Sequence, residues 1–207
     1  FAVDLWAKAQ NCAVLEPERI KRVSGALLAG QTVRYWSPWP VAGETPAGVE
    51  KADPPEAADF ALTLTPQGGA LHLVPRIGVL GVGCRRGTTA RQLEEAFAAF
   101  CAASGLSPAA VCAAASIDLK KDEPGLAAFC KAHGWPITFY PADELRAVPG
   151  QFTPSAFVAS VTGVDNVCER SAVKASGGTL LLPKTAGGGV TLALAVRPFA
   201  PDWRTEQ

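Results

Sequence analysis

A chain of 207 residues, 48% of them hydrophobic, has the length and apolar content for one large domain or two small ones with a real core. Lysine plus arginine and aspartate plus glutamate each number 19, so no field of one sign covers the molecule to attract nucleic acid or an anionic membrane surface. No apolar stretch approaches the roughly 20 residues of a membrane-spanning helix and no leader pattern opens the chain, so the expectation is a cytoplasmic protein with no membrane partner.

Residues 1–10 carry Val3, Leu5 and Trp6, the mark of a short helix or turn. Pro17 suits the first turn of a helix along which Ile20, Val23, Leu27 and Leu28 share one face, and Gly30 supplies its stop. Residues 32–36 are β-branched and aromatic and read as a strand. Pro38, Pro40, Gly43, Pro46, Gly48, Pro54 and Pro55 then predict a long loop over residues 37–55. Residues 60–64 and 70–74 alternate as two strands, and Pro66-Gln67-Gly68-Gly69 between them suggests a hairpin with His72 facing solvent. The first region, a small α+β unit, is expected to close near Pro75 (residues 1–75).

Residues 76–207 alternate strands and helices, which predicts an α/β region with a mixed β-sheet covered by helices. The apolar run 77–82 reads as a strand buried on both faces. A helix over 90–103, strands over 111–117 and 137–140, and a helix over 124–133 follow. Two further helices, near 155–160 and 165–175, precede strands over 179–182 and 190–196. His133 falls in the last turn of its helix before Gly134, where a cation is favoured electrostatically. The six cysteines, Cys12, Cys84, Cys101, Cys112, Cys130 and Cys168, form no C-x-x-C pair and stand at no zinc-finger spacing with histidine. They are expected as free thiols, mostly small buried hydrophobes, with neither disulfide nor metal site. The chain has no methionine and opens on Phe1-Ala2-Val3-Asp4, which reads as a piece of a longer protein.

The strongest motif is Gly81-Val82-Gly83-Cys84-Arg85-Arg86-Gly87-Thr88-Thr89, where a buried strand gives way to a helix. Glycines permit close backbone approach, the helix start offers unpaired N–H groups, and Thr89 with Gln92 has capping-box spacing. Arg85 and Arg86 add two planar forks suited to carboxylates. The motif reads as an anion-binding loop or, alternatively, as a tight turn packing helix on sheet. Its spacing is G-x-G-x-x-x-G, which departs from the dinucleotide fingerprint.

A second motif, Ile117-Asp118-Leu119-Lys120-Lys121-Asp122-Glu123-Pro124-Gly125, lies at the carboxyl end of the next strand, where ligands of open α/β sheets collect. It also reads as a solvated charged loop in which Asp122 or Glu123 caps the following helix. Thr162-Gly163-Val164-Asp165-Asn166-Val167-Cys168-Glu169 and Leu182-Pro183-Lys184 complete the set.

These motifs in this order, ending with Pro183-Lys184 before a glycine loop and Val190-Thr191, resemble the C-terminal domain of the cobalt-precorrin-5A hydrolases of cobalamin biosynthesis. Residues 1–74 resemble the same family's middle region. The resemblance implies a reaction in which the δ-lactone of a cobalt-containing corrinoid precursor is opened and a two-carbon unit leaves as acetaldehyde. The partner implied is that polycarboxylate tetrapyrrole, with the family's N-terminal domain or other pathway enzymes beside it. No cofactor is implied, because the substrate carries the cobalt. The family's N-terminal motifs, like Ser-Gly-His and Gly-Gly-Ala-Asn, have no match in this chain.

Lactone opening needs a base, an oxyanion donor and an acid. On this resemblance Glu169 or Asp118 is the candidate base, backbone N–H groups near Gly83 to Thr88 are the oxyanion donors, and Lys120 or Lys184 is the cationic stabiliser. Gly81, Gly83, Cys84, Arg85, Arg86, Gly87, Thr88, Thr89, Glu123, Thr162 and Gly163 are the candidate substrate contacts. Two other readings stay open. One is a corrinoid-binding module without hydrolysis, like the stand-alone relative of this domain in the oxygen-dependent pathway. The other is a nucleotide enzyme with Asp118 on a ribose.

Overall fold

The computed structural model describes residues 1–204, with the side chains of residues 156–158 left aside. The chain divides into two compact units. The first takes Phe1–Arg76, Gly105–Ala110 and the segment from Phe199, and the second takes Ile77–Ser104 and Val111–Pro198. The first unit thus includes two pieces of the region that the sequence pattern assigns to the α/β part. Among the described residues no helix is long and apolar enough to cross a membrane.

In the first unit α1 (Val3–Ala9) leads into β1 (Cys12–Val14), and a 3₁₀ turn opened by Pro17 runs into α2 (Ile20–Leu28). Gly30, at φ +74°, ends that helix in the left-handed conformation glycine adopts at least cost. Strands β2 (Val33–Trp36), β3 (Val49–Lys51), β4 (Phe60–Leu62) and β5 (Leu71–Pro75) complete a sheet of order β1-β5-β4-β2-β3. Its core gathers Val3, Trp6, Val33, Phe60, Leu71 and Trp203. The Trp6 indole stacks on Trp203 at 4.6 Å between ring centroids and donates its N–H to the Asp202 carbonyl at 2.7 Å.

Three expectations are corrected here. The stretch 37–55 is no unbroken loop, because Val49–Lys51 pairs in parallel with β2. That strand lies at the sheet edge, where the flanking prolines remove no ladder bond on its outer side. Residues 60–62 and 71–73 pair in parallel, Phe60 opposite Leu71, so they are not a hairpin. The eight residues between Leu62 and Leu71 can reach roughly 26 Å or more when extended. A three-residue strand spans only about 10 Å, so a return path fits. Finally His72 is buried, 3% exposed, because the face of β5 opposite Leu71 and Leu73 is covered. Its Nδ1 meets Glu16 Oε1 and its Nε2 meets the Gln67 carbonyl, each at 2.9 Å.

The second unit begins with β6 (Gly78–Cys84), α3 (Ala90–Ser104), β7 (Val111–Ile117), α4 (Pro124–His133) and β8 (Ile137–Tyr140). It continues through α5 (Ala142–Arg146), α6 (Ala156–Thr162), α7 (Val167–Ser176), β9 (Thr179–Gly187) and β10 (Val190–Val196). The sheet order is β8-β7-β6-β10-β9, with β6, β7 and β8 parallel and β10 antiparallel to both neighbours. This is the mixed sheet covered by helices that the alternation predicts. The short helix α5 escapes the sequence reading because five residues carry less than two turns of periodicity.

Helix α7 packs across β6, β7 and β10. It sits so close that a Cβ on Gly81 would run into the Cys168 carbonyl and the Ala172 methyl. Ser171 Oγ donates to the Ala115 carbonyl at 3.2 Å beneath it. Helices α3 and α4 pack on each other, with Phe97 edge-on to Phe129 at 6.0 Å. His133 ends α4 before Gly134 at φ +68°, stacks on Trp135 at 4.2 Å and meets Glu94 Oε2 at 2.7 Å.

Candidate functional site

The carboxyl ends of β6 and β7 meet the β9–β10 hairpin and the α6–α7 turn around one cleft of about 740 Å³, all within the second unit. Its size and position fit a ligand site of an open α/β sheet, outside the strand ends where chain connections diverge. Gly83 and Cys84 enter it from the end of β6, Arg85 and Arg86 from the loop after it, and Leu119 and Lys120 from the turn after β7. Thr162 and Asp165 come from the α6–α7 side, and Lys184 and Thr191 from the hairpin.

The arginine loop is rigidly founded. Arg85 N–H donates to the Gly189 carbonyl at 3.0 Å, and the Arg85 carbonyl accepts from Thr88 Oγ at 2.8 Å. A Cβ on Gly189 would stand 2.9 Å from Arg85 Cδ, so glycine there leaves room for the guanidinium stem. Gly87, at φ +74°, donates its N–H to Glu123 Oε2 at 2.8 Å. Lys120 Nζ reaches the other oxygen of Glu123 at 3.2 Å. Gly125 lets α4 press on the loop, since a Cβ there would overlap the Thr88 carbonyl. The Glu123 carboxyl is held below the usual carboxylate range by the Gly87 N–H, with Lys120 and Arg86 adding to it against the cost of burial.

Four backbone donors of this stretch bond within the protein. Arg85, Gly87 and Thr88 N–H groups go to Gly189, Glu123 and Arg85, and Thr89 N–H goes to Gln92 Oε1 at 2.9 Å. Gln92 N–H returns a bond to Thr89 Oγ1 at 3.2 Å, a capping box. Of the expected oxyanion donors between Gly83 and Thr88, those of Arg85, Gly87 and Thr88 are therefore already satisfied. The side chains of Arg85, Arg86, Lys120 and Lys184 line the cleft and present cationic donors to it. Among the described residues lining it, Asp165 is the one acid, and Arg170 Nε holds it at 2.9 Å. The cleft is a cationic pocket.

Glu169, the first candidate base, sits behind the cleft. It is fully buried and absent from the cleft wall. Its carboxylate accepts Thr153 N–H at 2.8 Å, Thr153 Oγ at 2.9 Å and Lys184 N–H at 2.6 Å. A buried carboxylate that accepts three protein donors holds those residues in place. Lys184 Nζ in turn donates to the Thr153 carbonyl at 3.1 Å, so Glu169 fixes both the segment at 153 and the strand that bears Lys184.

Other expected contacts also fall away from the wall. Gly81 is a packing glycine under α7. Thr88 ties the loop and Thr89 caps α3. Gly163 gives its carbonyl to Arg146 at 2.9 Å. Asp118 opens the 3₁₀ turn after β7, half-buried and off the cleft wall. Cys84 does line the cleft, and burial pushes its thiol pKa up despite Lys120 nearby, so the thiol is no ready thiolate. Among the described residues no group of three or more His, Cys, Asp and Glu side chains is placed to hold a metal ion. Leu119, Val161, Asp165 and Thr191 line the cleft without being among the candidate contacts. Leu119 carried a signal, an aliphatic residue inside a charged turn at a strand end.

Residues 78–195 match the family described as Cobalamin synthesis G C-terminus, and residues 1–78 match the Cobalamin biosynthesis central region. The chain belongs to the cobalamin biosynthesis G family. Two relatives are named cobalt-precorrin-5A hydrolase. The Priestia megaterium protein is 36% identical over 126 residues, 60% of this chain and 33% of its own length. The Salmonella typhimurium protein is 37% identical over 124 residues, 60% of this chain and 35% of its own. The match therefore spans about a third of either hydrolase. Protein CobE from a Sinorhizobium species is 32% identical over 120 residues, 56% of this chain and 78% of its length.

Among solved structures, CobE, described as a protein from the cobalamin (vitamin B12) biosynthetic pathway, aligns with a TM-score of 0.55 and 32% identity, over 61% of this chain and 94% of that one. A cobalamin biosynthesis protein G homolog from Sulfolobus solfataricus aligns with a TM-score of 0.51 over 96% of this chain and 61% of that one. At 16% identity it speaks to the fold alone.

Proposed function

We propose that this chain is the central and C-terminal part of a cobalt-precorrin-5A hydrolase and that its cleft holds the substrate, a cobalt-containing corrinoid precursor rich in carboxylates. The observation that carries this reading is the convergence of Arg85, Arg86, Lys120 and Lys184 on one cleft whose one described acid is paired. Guanidinium forks bind carboxylates bidentately and ammonium groups add point charges, so several acid groups of one ligand can be met at once. The names of the two hydrolase relatives support the reaction.

In that reaction water adds to the lactone carbonyl, the ring oxygen leaves, and a later carbon–carbon cleavage releases acetaldehyde. Lys120 and Lys184 stabilise the negative charge that develops on oxygen. With Glu169 and Glu123 engaged and Asp118 off the wall, the base comes from another part of the hydrolase. The cobalt belongs to the substrate, and no resident cofactor is invoked.

A second reading, a corrinoid-binding module without hydrolysis, is favoured by CobE, because the match covers 94% of that solved chain. One experiment separates the two. Cobalt-precorrin-5A is mixed in single turnover with this chain alone and with the N-terminal part of a family hydrolase added, and acetaldehyde is measured. Release in the combined mixture supports the hydrolase reading. Tight binding with no acetaldehyde in either mixture supports the module and overturns hydrolysis.

A further inference from the structure

Three large aliphatic side chains of the second unit stand well exposed: Leu119 at 61%, Val161 at 64% and Leu181 at 45%. The first two line the cationic cleft. They come from separate elements, Leu119 from the turn after β7 and Val161 from the end of α6. Ile117, Val167 and Val190, each buried, line the same cleft. Single exposed aliphatic residues are ordinary, whereas two on the rim of one pocket, above an apolar floor, form a wall that water wets at a cost. The cations stand on the same cleft at Arg85, Arg86 and Lys184.

We infer that Leu119 and Val161 are specificity-determining residues of this cleft, an apolar rim that accepts the face of a macrocycle while the cations take the carboxylates at its edge. The inference rests on the carboxylate reading of the cleft and adds to it. Cations alone select for charge, and any small polycarboxylate satisfies them equally. An apolar rim gains only when a ligand brings a broad nonpolar surface, so it separates a carboxylated ring from a carboxylated chain of similar charge. Its contribution survives added salt, whereas that of the cations declines.

The test compares two probes by isothermal titration on the whole chain: uroporphyrin, a flat tetrapyrrole octacarboxylate, and butanetetracarboxylate, which has acid groups and no ring. Leu119→Ser and Val161→Thr are each expected to weaken uroporphyrin binding about three- to tenfold, and together more than tenfold, while butanetetracarboxylate is unaffected. Arg85→Ala is expected to weaken both probes. Both rim positions are well exposed, so these variants should keep the far-ultraviolet circular dichroism of the parent.

A double rim variant that binds uroporphyrin like the parent, or that loses both probes equally, overturns the rim. Arginine variants that bind both probes like the parent overturn the carboxylate reading instead, and the rim then stands or falls on its own selective loss of uroporphyrin. A parent chain that binds neither probe overturns both.

Discussion

Glu123 Oε2 accepts the backbone N–H of Gly87 at 2.8 Å, and this bond ties the loop bearing Arg85 and Arg86 to the N-cap residue of α4. The second oxygen holds Lys120 at 3.2 Å, so one carboxylate sets the position of three of the four cleft cations. Hydrogen bonds to an ionised group contribute about 1.5–3 kcal/mol. Glu123→Ala should therefore speed hydrogen exchange of the Gly87 amide at least about tenfold and weaken carboxylate binding with the arginines intact. Exchange at the parental rate would show that the loop is held by other means.

The glycines of the first motif should separate cleanly. Gly81→Ala places a methyl against the Cys168 carbonyl with no room to retreat, so it should lower stability at or above the upper end of about 1–3 kcal/mol. Gly87→Ala meets nothing within 4 Å but must hold φ +74°, which costs only about 1–2 kcal/mol. Urea unfolding of the two variants checks the order, and equal losses would refute the close-packing account.

Much of the second unit could be read from the sequence because its strands are continuous apolar runs and its helices carry periodicity and stop signals. Val111–Ile117, Pro124–His133, Ile137–Tyr140 and Val190–Val196 fall where the pattern put them. The first unit was less legible. Strand direction leaves no trace in alternation, so β4 and β5 looked like a hairpin, and a three-residue edge strand among prolines looked like loop. At the site, the arginines and lysines were legible as charge at strand ends. The role of Glu169 was not, because a buried carboxylate that receives three protein hydrogen bonds and one exposed to substrate are the same letter.

Glu169 supplies the next expectation. Glu169→Ala strips the acceptor from three donors in a buried place and should cost on the order of 3 kcal/mol of stability in urea unfolding. In a reconstituted hydrolase, any loss of turnover in Glu169→Gln should come with weaker substrate binding and a lower unfolding midpoint. Lost turnover with both of those unchanged would return Glu169 to the role of base.

Acid should loosen the first unit through Glu16. Burial raises its carboxyl pKa, but the hydrogen bonds from the His72 ring and backbone N–H, and the charges of His72 and Arg19, outweigh that and hold it below the usual value. A carboxyl lowered in the folded state contributes stability that is present above its unfolded pKa and lost as pH falls through the folded one. The thermal midpoints of the parent and Glu16→Gln should therefore differ at neutral pH and converge in acid. A constant gap across the carboxylate range would remove Glu16 as the source.

The thiols should react in two classes. Burial pushes Cys101, Cys130 and Cys168 up to about 11, so alkylation at neutral pH should wait for unfolding. Cys84 and Cys168 both border the cleft, but Cys84 is partly exposed and should react slowly in the folded protein, more slowly still with a polycarboxylate bound. Rapid labelling of Cys168 in the native state would contradict the packing of α7.

The stack of Trp6 on Trp203 joins residues 197 positions apart within the first unit. On the ribosome, the opening helix waits for its ring partner until nearly everything else in this stretch has been made. The unit written first is finished last, its apolar surface shielded only late, and the α/β unit encoded between has time to fold in the interval.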